Sequence, residues 1–237
     1  MLNKLNYGFH KVYGRGRQSI TSRHRGGGKK VIYKNVDFFR FLPNVKGKLL
    51  STVRDSYRSG HIGLVGYTNG IVSYMLLPSV KVDNFITVYR SETPEHRDYS
   101  RVGISCPLYC VKVGSSVYNV ESNFLKGGSI ARSAGTKAIL MKKYKTTGLL
   151  RLPSGLLILV SLKNFCSIGE VSNEHHKLES LKKAGVNRWK GKRPIVRGIA
   201  MNPVDHPHGG RTNGGKVPCT AWGRIAKGPK TRKKKRH

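Results

Sequence analysis

The sequence predicts an all-β protein made of small barrels, with basic extended segments at both ends. Three observations support this: an Asn69-Gly70 pair between two apolar runs, further short strand candidates at regular spacing, and a single short helical pattern. An Asn-Gly pair in this setting is a strong hairpin signal, and short strands without long helices between them are typical of small barrels.

The hairpin is expected over residues 62–78, with a tight primed turn in which Asn69 and Gly70 both take positive φ angles. Further strands are expected at residues 85–90, 108–113, 117–120, 138–144 and 156–160. A short helix is expected over residues 175–184, ended by Gly185.

The chain carries far more positive charge than solubility requires. It has 45 Lys plus Arg against 11 Asp plus Glu, a formal net charge of +34 over 237 residues. Residues 1–36 hold nine basic residues and no acid, residues 37–180 hold 19 against ten, and residues 181–237 hold 17 against one. We therefore expect a polyanionic partner, a folded middle, and basic ends that wrap the partner.

Composition excludes several other classes of protein. No apolar run approaches the ~20 residues of a membrane span. The cysteines, Cys106, Cys110, Cys166 and Cys219, lack the spacing of a disulfide framework or of paired zinc knuckles, so we expect reduced thiols. The N-terminal stretch lacks a secretory apolar region, although its acid-free composition with Arg and Ser would suit a transit peptide.

Two glycine-rich segments carry candidate phosphate ligands. Residues 22–30, SRHRGGGKK, do not have the spacing of a P-loop. The three glycines predict a backbone that lies close to another surface and offers its N–H groups to an anion. The alternative is a flexible linker. Residues 126–136, KGGSIARSAGT, predict a loop that enters a groove, with hydroxyls on phosphate or ribose. The candidate ligands are Arg23, His24, Arg25, Lys29, Lys30, Lys126, Arg132, Ser133 and Thr136.

A third segment, residues 187–198 (NRWKGKRPIVRG), surrounds Trp189 with cations. Trp189 either stacks on an unpaired base or packs on the folded core, and the cations favour phosphate contact in both cases. The candidate ligands of this segment are Arg188, Trp189, Lys192, Arg193 and Arg197.

The fourth segment, residues 197–210 (RGIAMNPVDHPHGG), contains the one acid of the C-terminal stretch. Three interpretations are open: a metal site, a general acid/base pair of Asp205 and His206, or a fixed loop that inserts into RNA. Proline and glycine favour the fixed loop, in which Asp205 bonds backbone N–H groups and Asn202, His206 and His208 are presented to RNA.

These motifs closely resemble the universal L two family of the large ribosomal subunit. Two further segments share the resemblance: RLPSG at residues 151–155 and KAG-x-x-RW-x-G-x-RP-x-VRG at residues 183–198. The resemblance runs from about residue 14 to residue 237 and covers nearly the whole chain. It implies a basic RNA-binding arm over residues 1–30, an OB-fold barrel over 31–101, an SH3-like barrel over 102–180, and a basic extension in ribosomal RNA over 181–237.

The resemblance also implies a function. The chain would be a structural constituent, not an enzyme, that binds large-subunit ribosomal RNA and supports assembly, subunit association and the peptidyl transferase region. Asp205, His206 and His208 would lie nearest that region in a supporting role, because RNA carries out peptide transfer. The implied partners are ribosomal RNA, neighbouring large-subunit proteins and the small subunit, with no membrane. We expect no cofactor beyond Mg²⁺ or K⁺ ions of the surrounding RNA.

The sequence departs from the family pattern at several places. After Gly210 the family usually has a further glycine and then an acid, whereas this chain has Arg211 and Thr212. Arg211 is a further candidate RNA ligand. After the glycines of residues 26–28 the family usually has histidine, whereas this chain has Lys29. The chain also begins closer to its first motif than bacterial members do. These departures fit a mitochondrial ribosome better than one in a plastid or the bacterial cytoplasm.

Two other classes of function remain as alternatives. The run KTRKKKRH at residues 230–237 would suit a DNA-binding protein, although no helix-turn-helix or zinc-finger spacing accompanies it. A metal-dependent hydrolase would use Asp205, His206 and His208.

Overall fold

The computed structural model describes residues 5–9, 14, 20–42, 45–79, 85–87, 101–210 and 217–227. The regular structure of these residues is almost entirely β, which confirms the all-β prediction. The strands are β1 (Asn6–Phe9), β2 (Val31–Lys34), β3 (Lys46–Val53), β4 (Ile62–Tyr67), β5 (Val72–Leu76), β6 (Phe85–Thr87), β7 (Ser105–Pro107), β8 (Ser116–Tyr118), β9 (Val120–Glu121), β10 (Gly128–Ile130), β11 (Ala138–Lys143), β12 (Thr147–Arg151), β13 (Leu157–Ser161) and β14 (Phe165–Ile168). The described helices are α1 (Ala184–Trp189) and the 3-10 turns Leu108–Cys110, Glu174–Leu178 and Gly198–Ala200.

The strands form two larger antiparallel sheets. One has the order β5-β4-β3-β6, and the other has the order β13-β12-β11-β8-β14-β7. Alternation along β12 buries Gly148 and Leu150 and leaves Leu149 half exposed, as expected for a sheet with one face in the core. The smaller pairs β1-β2 and β9-β10 complete the described sheets.

The predicted hairpin is confirmed, but its turn is not the primed two-residue type. The Tyr67 N–H donates to the Ile71 carbonyl at 2.8 Å and so closes a three-residue loop, 68–70. Gly70 alone takes the left-handed conformation there, with φ of 78°. The Asn69 side chain instead accepts a hydrogen bond from the Ile71 N–H at 3.2 Å. Three-residue hairpin loops commonly place glycine at this left-handed position.

Three other local predictions need correction. The predicted strand at 108–113 is the 3-10 turn Leu108–Cys110, because the Val111 N–H bonds back to the Leu108 carbonyl and both side chains are buried. The predicted strand at 117–120 is interrupted at Asn119, whose φ is 50°. Strands at 138–144 and 156–160 are confirmed as β11 and β13, and the strand at 85–90 as β6 as far as residue 87; residues 88–90 lie outside the described residues.

The predicted helix at 175–184 is also wrong. A 3-10 turn covers Glu174–Leu178, and Lys182 then takes the left-handed conformation, with a φ of 56°. The α-helix α1 begins only at Ala184, so Gly185 lies inside its first turn and does not end the preceding segment.

Contacts divide the chain into two compact units, Met1–Lys11 with Lys30–Lys182 and Val12–Lys29 with Lys183–His237. The first unit holds both larger sheets. Within it, the Tyr118 hydroxyl donates to the Leu76 carbonyl at 3.5 Å, and the Ser172 N–H donates to the Leu77 carbonyl at 3.0 Å. The sequence predicts a domain boundary between residues 101 and 102. Residues 88–100, just before it, lie outside the described residues.

Glu121, at the end of β9, is a buried carboxylate with 1% of its surface exposed. Its Oε2 accepts hydrogen bonds from the N–H groups of Leu125 at 3.3 Å and Phe165 at 3.2 Å, and its Oε1 accepts one from Gly127 at 3.1 Å. A buried carboxylate is tolerated when such donors replace water. Glu121 therefore holds the beginning of the 126–136 segment in place.

Replacing Glu121 with Gln is expected to lower the free energy of unfolding by about 1–3 kcal/mol, because an amide NH₂ would face a backbone N–H donor. Urea unfolding of the full chain measures the change. Glu179→Gln is the control, since that side chain is exposed and surface substitutions change stability by about 0.5 kcal/mol or less. Equal unfolding midpoints for the two variants would contradict the role given to Glu121.

Candidate nucleic-acid interface

In the second unit, residues 22–29 lie beside residues 187–194. The Gly26 N–H donates to the Gly191 carbonyl, and the Arg193 N–H donates to the His24 carbonyl, each at 3.0 Å. Gly28 comes so close that a Cβ there would lie 3.0 Å from the Gly191 nitrogen. The surface that Gly26 and Gly28 approach is thus the protein's own backbone, and the linker alternative is wrong. The Gly26 N–H is used internally and is not available to an anion.

Trp189, at the end of α1, lies beside two cations. The Lys29 Nζ is 4.9 Å from the indole centroid, and the Lys183 Nζ is 5.3 Å from it. The ring is 48% exposed, so packing of Trp189 in a core is excluded. Cation–π contacts of this kind keep the lysines close to the ring while their ammonium groups stay hydrated. Stacking of Trp189 on a base stays a prediction.

Residues 197–210 form a loop held by its own backbone. The N–H groups of Asp205 and His206 donate to the Asn202 carbonyl at 3.0 and 3.3 Å, and the Gly210 N–H donates to the Met201 carbonyl at 3.2 Å. Among the described residues, no N–H group donates to the exposed Asp205 carboxylate. The fixed loop is therefore present, but the expectation that the Asp205 side chain fixes it is wrong.

The two histidines of this loop act as hydrogen-bond acceptors. The His208 N–H donates to the His206 Nδ1 at 3.0 Å, and the Cys219 N–H donates to the His208 Nε2 at 2.8 Å. A ring nitrogen that accepts a hydrogen bond carries no proton, so both imidazoles are neutral in this arrangement. The His206 ring also packs on Gly198, where a Cβ would come within 2.6 Å of it.

The arrangement does not favour the other two interpretations of this loop. In the described parts of the chain, no group of three His, Cys, Asp or Glu side chains could hold a metal ion. No hydrogen bond among these residues joins the Asp205 carboxylate to the imidazole of His206 or His208, as an oriented acid/base pair would require. No described helix is long and apolar enough to cross a membrane.

The first unit carries a cavity of about 550 Å³ that combines aromatic rings with cations. The Arg132 guanidinium carbon lies 4.6 Å from the Phe38 ring centroid, and the Arg58 guanidinium carbon lies 5.3 Å from the same centroid. Arg58 is in turn paired with the buried Asp55 carboxylate. The cavity is lined by Tyr33, Phe38, Tyr57, Arg58, Ser59, Arg132 and Ser133. Aromatic faces beside cations suit an unpaired base and its phosphate.

Sequence reasoning identified Arg132 and Ser133 but missed the other residues of this cavity. The signal that could have found two of them is the Tyr57-Arg58 pair inside the polar stretch RDSYRSG, residues 54–60. An aromatic residue next to an arginine is a common pairing at nucleic-acid surfaces. Tyr33 and Phe38 stand in unremarkable sequence, and only the fold brings them to the cavity.

The other predicted ligands are divided between the two units. The Thr136 hydroxyl donates to the Ser133 carbonyl at 2.7 Å, and the Arg23 guanidinium donates to the Met201 sulfur at 3.6 Å. Exposed cations are Lys30, Lys126 and Arg132 in the first unit and Arg25, Lys29, Arg188, Lys192, Arg193 and Arg197 in the second. Arg211 lies outside the described residues.

His206 is expected to titrate below the value of about 6.5 for a free histidine. Partial burial lowers the pKa of His206, and the nearby positive charge of Arg23 lowers it further. Its contribution to stability is therefore full above about pH 6.5 and is lost as the pH falls toward the folded pKa, because the unfolded chain then binds more protons. NMR titration of the imidazole measures this, with a peptide of residues 202–210 as control. Equal pKa values in the two would contradict the expectation.

Comparison with known proteins agrees with this cationic, all-β arrangement. "Ribosomal Proteins L2, RNA binding N-terminal domain" matches residues 2–86, and "Ribosomal Proteins L2, C-terminal domain" matches residues 101–223. The large ribosomal subunit protein uL2c of Cyanidium caldarium is 41% identical over 98% of this chain and 84% of its own. The large ribosomal subunit protein uL2 of Rickettsia rickettsii (strain Sheila Smith) is 44% identical over 99% of this chain and 86% of its own. With both domains matched and this identity along almost the entire chain, the protein belongs to the family of Ribosomal Proteins L2.

Proposed function

We propose that the chain is a structural constituent of the large ribosomal subunit that binds ribosomal RNA and supports assembly of the subunit. Membership of the L2 family along almost the whole chain carries this proposal. The net charge of +34 supports it, because so strong an excess of positive charge favours a large polyanionic partner such as RNA. The role is that of a scaffold and not of an enzyme.

Most of the binding energy comes from phosphate neutralisation. The cations of residues 22–29 and 187–194 are placed side by side by the backbone bonds between these segments, so one stretch of RNA can meet both. Each neutralised phosphate releases counterions, and affinity therefore falls steeply with salt. Mg²⁺ and K⁺ ions belong to the RNA in this account.

The cavity of the first unit receives an unpaired nucleotide. Phe38 offers a ring face, and Arg58 and Arg132 lie within 5.3 Å of its centroid. A flipped nucleotide could then place its base against the aromatic rings and its phosphate near the guanidinium groups. Because Asp55 holds Arg58 in place, the cavity exists before RNA arrives.

The 197–210 loop lies near the peptidyl transferase region and shapes RNA there without taking part in chemistry. The neutral imidazoles of His206 and His208 are engaged in holding the backbone, which supports a positioning role. Asp205 is exposed and is the one carboxylate of this stretch, so it contacts cations or water of the surrounding RNA. Neighbouring large-subunit proteins and the small subunit are the protein partners.

The compartment we propose is the mitochondrial matrix, with a plastid or the bacterial cytoplasm as alternatives. The support is the replacement pattern around the motifs: Lys29 after the glycines, and Arg211 and Thr212 after Gly210. The identities to Cyanidium and Rickettsia relatives are similar and do not favour one compartment.

Sedimentation of native lysates, separated into organelle and cytosol, tests the function and the compartment together. We expect mass spectrometry to find the chain with large subunits of the mitochondrial fraction. Comigration with large subunits from another fraction would overturn the compartment alone. A free or chromatin-bound pool without ribosomes would overturn the function and favour DNA binding.

Arg132→Ala is expected to weaken binding to large-subunit ribosomal RNA about tenfold, because a charge-assisted contact and a cation–π contact are both lost. Filter binding at several salt concentrations measures the affinity and its salt dependence. Lys112→Ala, which removes an exposed cation away from the cavity, is the control and should change affinity less. An unfolded Arg132→Ala variant would show that the loop is structural and that the assignment is wrong.

A further inference from the structure

Residues 218–226 form a small hairpin, here called the Trp222 hairpin. The Thr220 N–H donates to the Arg224 carbonyl at 2.7 Å, and the Arg224 N–H donates to the Thr220 Oγ1 at 3.2 Å. The Ala226 N–H donates to the Pro218 carbonyl at 2.7 Å. These bonds leave the three residues 221–223 as a closed loop at the tip.

Trp222 stands at this tip and is 70% exposed. Within the described residues, no cation and no aromatic ring lies against it, in contrast to Trp189 with its two lysines. Tryptophan has a large apolar surface and is, on average, a highly buried residue. An indole that is exposed at the tip of a hairpin therefore indicates a binding role.

The base of the Trp222 hairpin is fixed by the histidine pair. Cys219, next to Thr220, donates its N–H to the His208 Nε2 at 2.8 Å, and the His208 N–H donates to the His206 Nδ1 at 3.0 Å. The hairpin is therefore tied to the 197–210 loop at its base. A ring presented on a pre-ordered turn loses little conformational entropy when it binds.

We propose that Trp222 stacks on an unpaired RNA base and that His208 is the positioning residue that aims it. This rests on the proposed function. RNA is favoured over a protein pocket by charge: the sequence has no Asp or Glu after Asp205, and the exposed Arg224 and Lys227 lie close to Trp222 in the chain. These cations can contact the phosphates next to the stacked base.

The test uses the full chain and a single-stranded 2-aminopurine-labelled oligoadenylate, with an abasic oligomer of equal length and charge as the control ligand. Stacking on Trp222 should quench the fluorescence of the base analogue. Trp222→Ala should bind oligoadenylate about tenfold more weakly, with the same salt slope and no change for the abasic oligomer. Trp222→Phe, which keeps an aromatic face, should retain most of the affinity and the quenching.

Equal affinity of the parent and Trp222→Ala for oligoadenylate would overturn the stacking proposal, point to a protein pocket as the occupant, and leave the proposed function standing. The proposed function fails separately if the parent chain shows no salt-dependent binding to large-subunit ribosomal RNA. Then stacking on ribosomal RNA is overturned as well.

His208→Ala and His208→Gln test the positioning role. Alanine removes the acceptor of the Cys219 N–H, so bound oligoadenylate should be quenched less at saturation. Glutamine restores an acceptor oxygen near the position of Nε2, and quenching should recover. Equal quenching in the parent and His208→Ala would overturn the positioning role.

Discussion

Mutual repulsion among 45 cationic side chains, opposed by 11 carboxylates, is the constraint on which the rest of this structure depends. Two of the carboxylates, Asp37 and Glu121, bond backbone N–H groups and do not neutralise surface charge. Asp37 accepts hydrogen bonds from three backbone N–H groups, those of residues 39, 40 and 41, and Glu121 accepts three more. These two acids hold loops in place, and the surface remains cationic. Stability must therefore come from the apolar cores of the sheets and from backbone bonds.

The fold class could be predicted from the sequence because alternation and an Asn-Gly turn are local signals. The details that failed depend on contacts between distant residues. The 108–113 stretch is apolar and β-branched enough for a strand, yet Leu108 and Val111 reach the core only if the chain turns between them. The helix at 175–184 failed because Lys182 adopts a left-handed conformation that side-chain pattern does not encode.

The candidate site shows the same division. Arg132 was found because it stands in a patterned motif, whereas Phe38 was missed because only folding brings it to within 4.6 Å of that guanidinium. The glycine run correctly predicted a close approach, which the structure shows at Gly28, but sequence could not say that the approached surface is the protein's own. Similarly, Asp205 was the evident candidate to fix its loop, while backbone carbonyls and the His206 Nδ1 do so in the structure.

The pairing of residues 22–29 with residues 187–194 has a consequence for synthesis of the chain. The His24 Nδ1 lies 3.1 Å from the Pro194 carbonyl oxygen, although the two residues are 170 positions apart in the sequence. A ribosome makes the glycine-rich loop first, and its protein partner emerges only when most of the chain is complete. Until then the N–H groups of Gly26 and Lys29 lack the carbonyl acceptors that residues 189 and 191 later supply. A nascent chain stopped before residue 187 thus offers RNA a different surface from the finished protein, and any RNA that binds it early must release those N–H groups before the second unit can close.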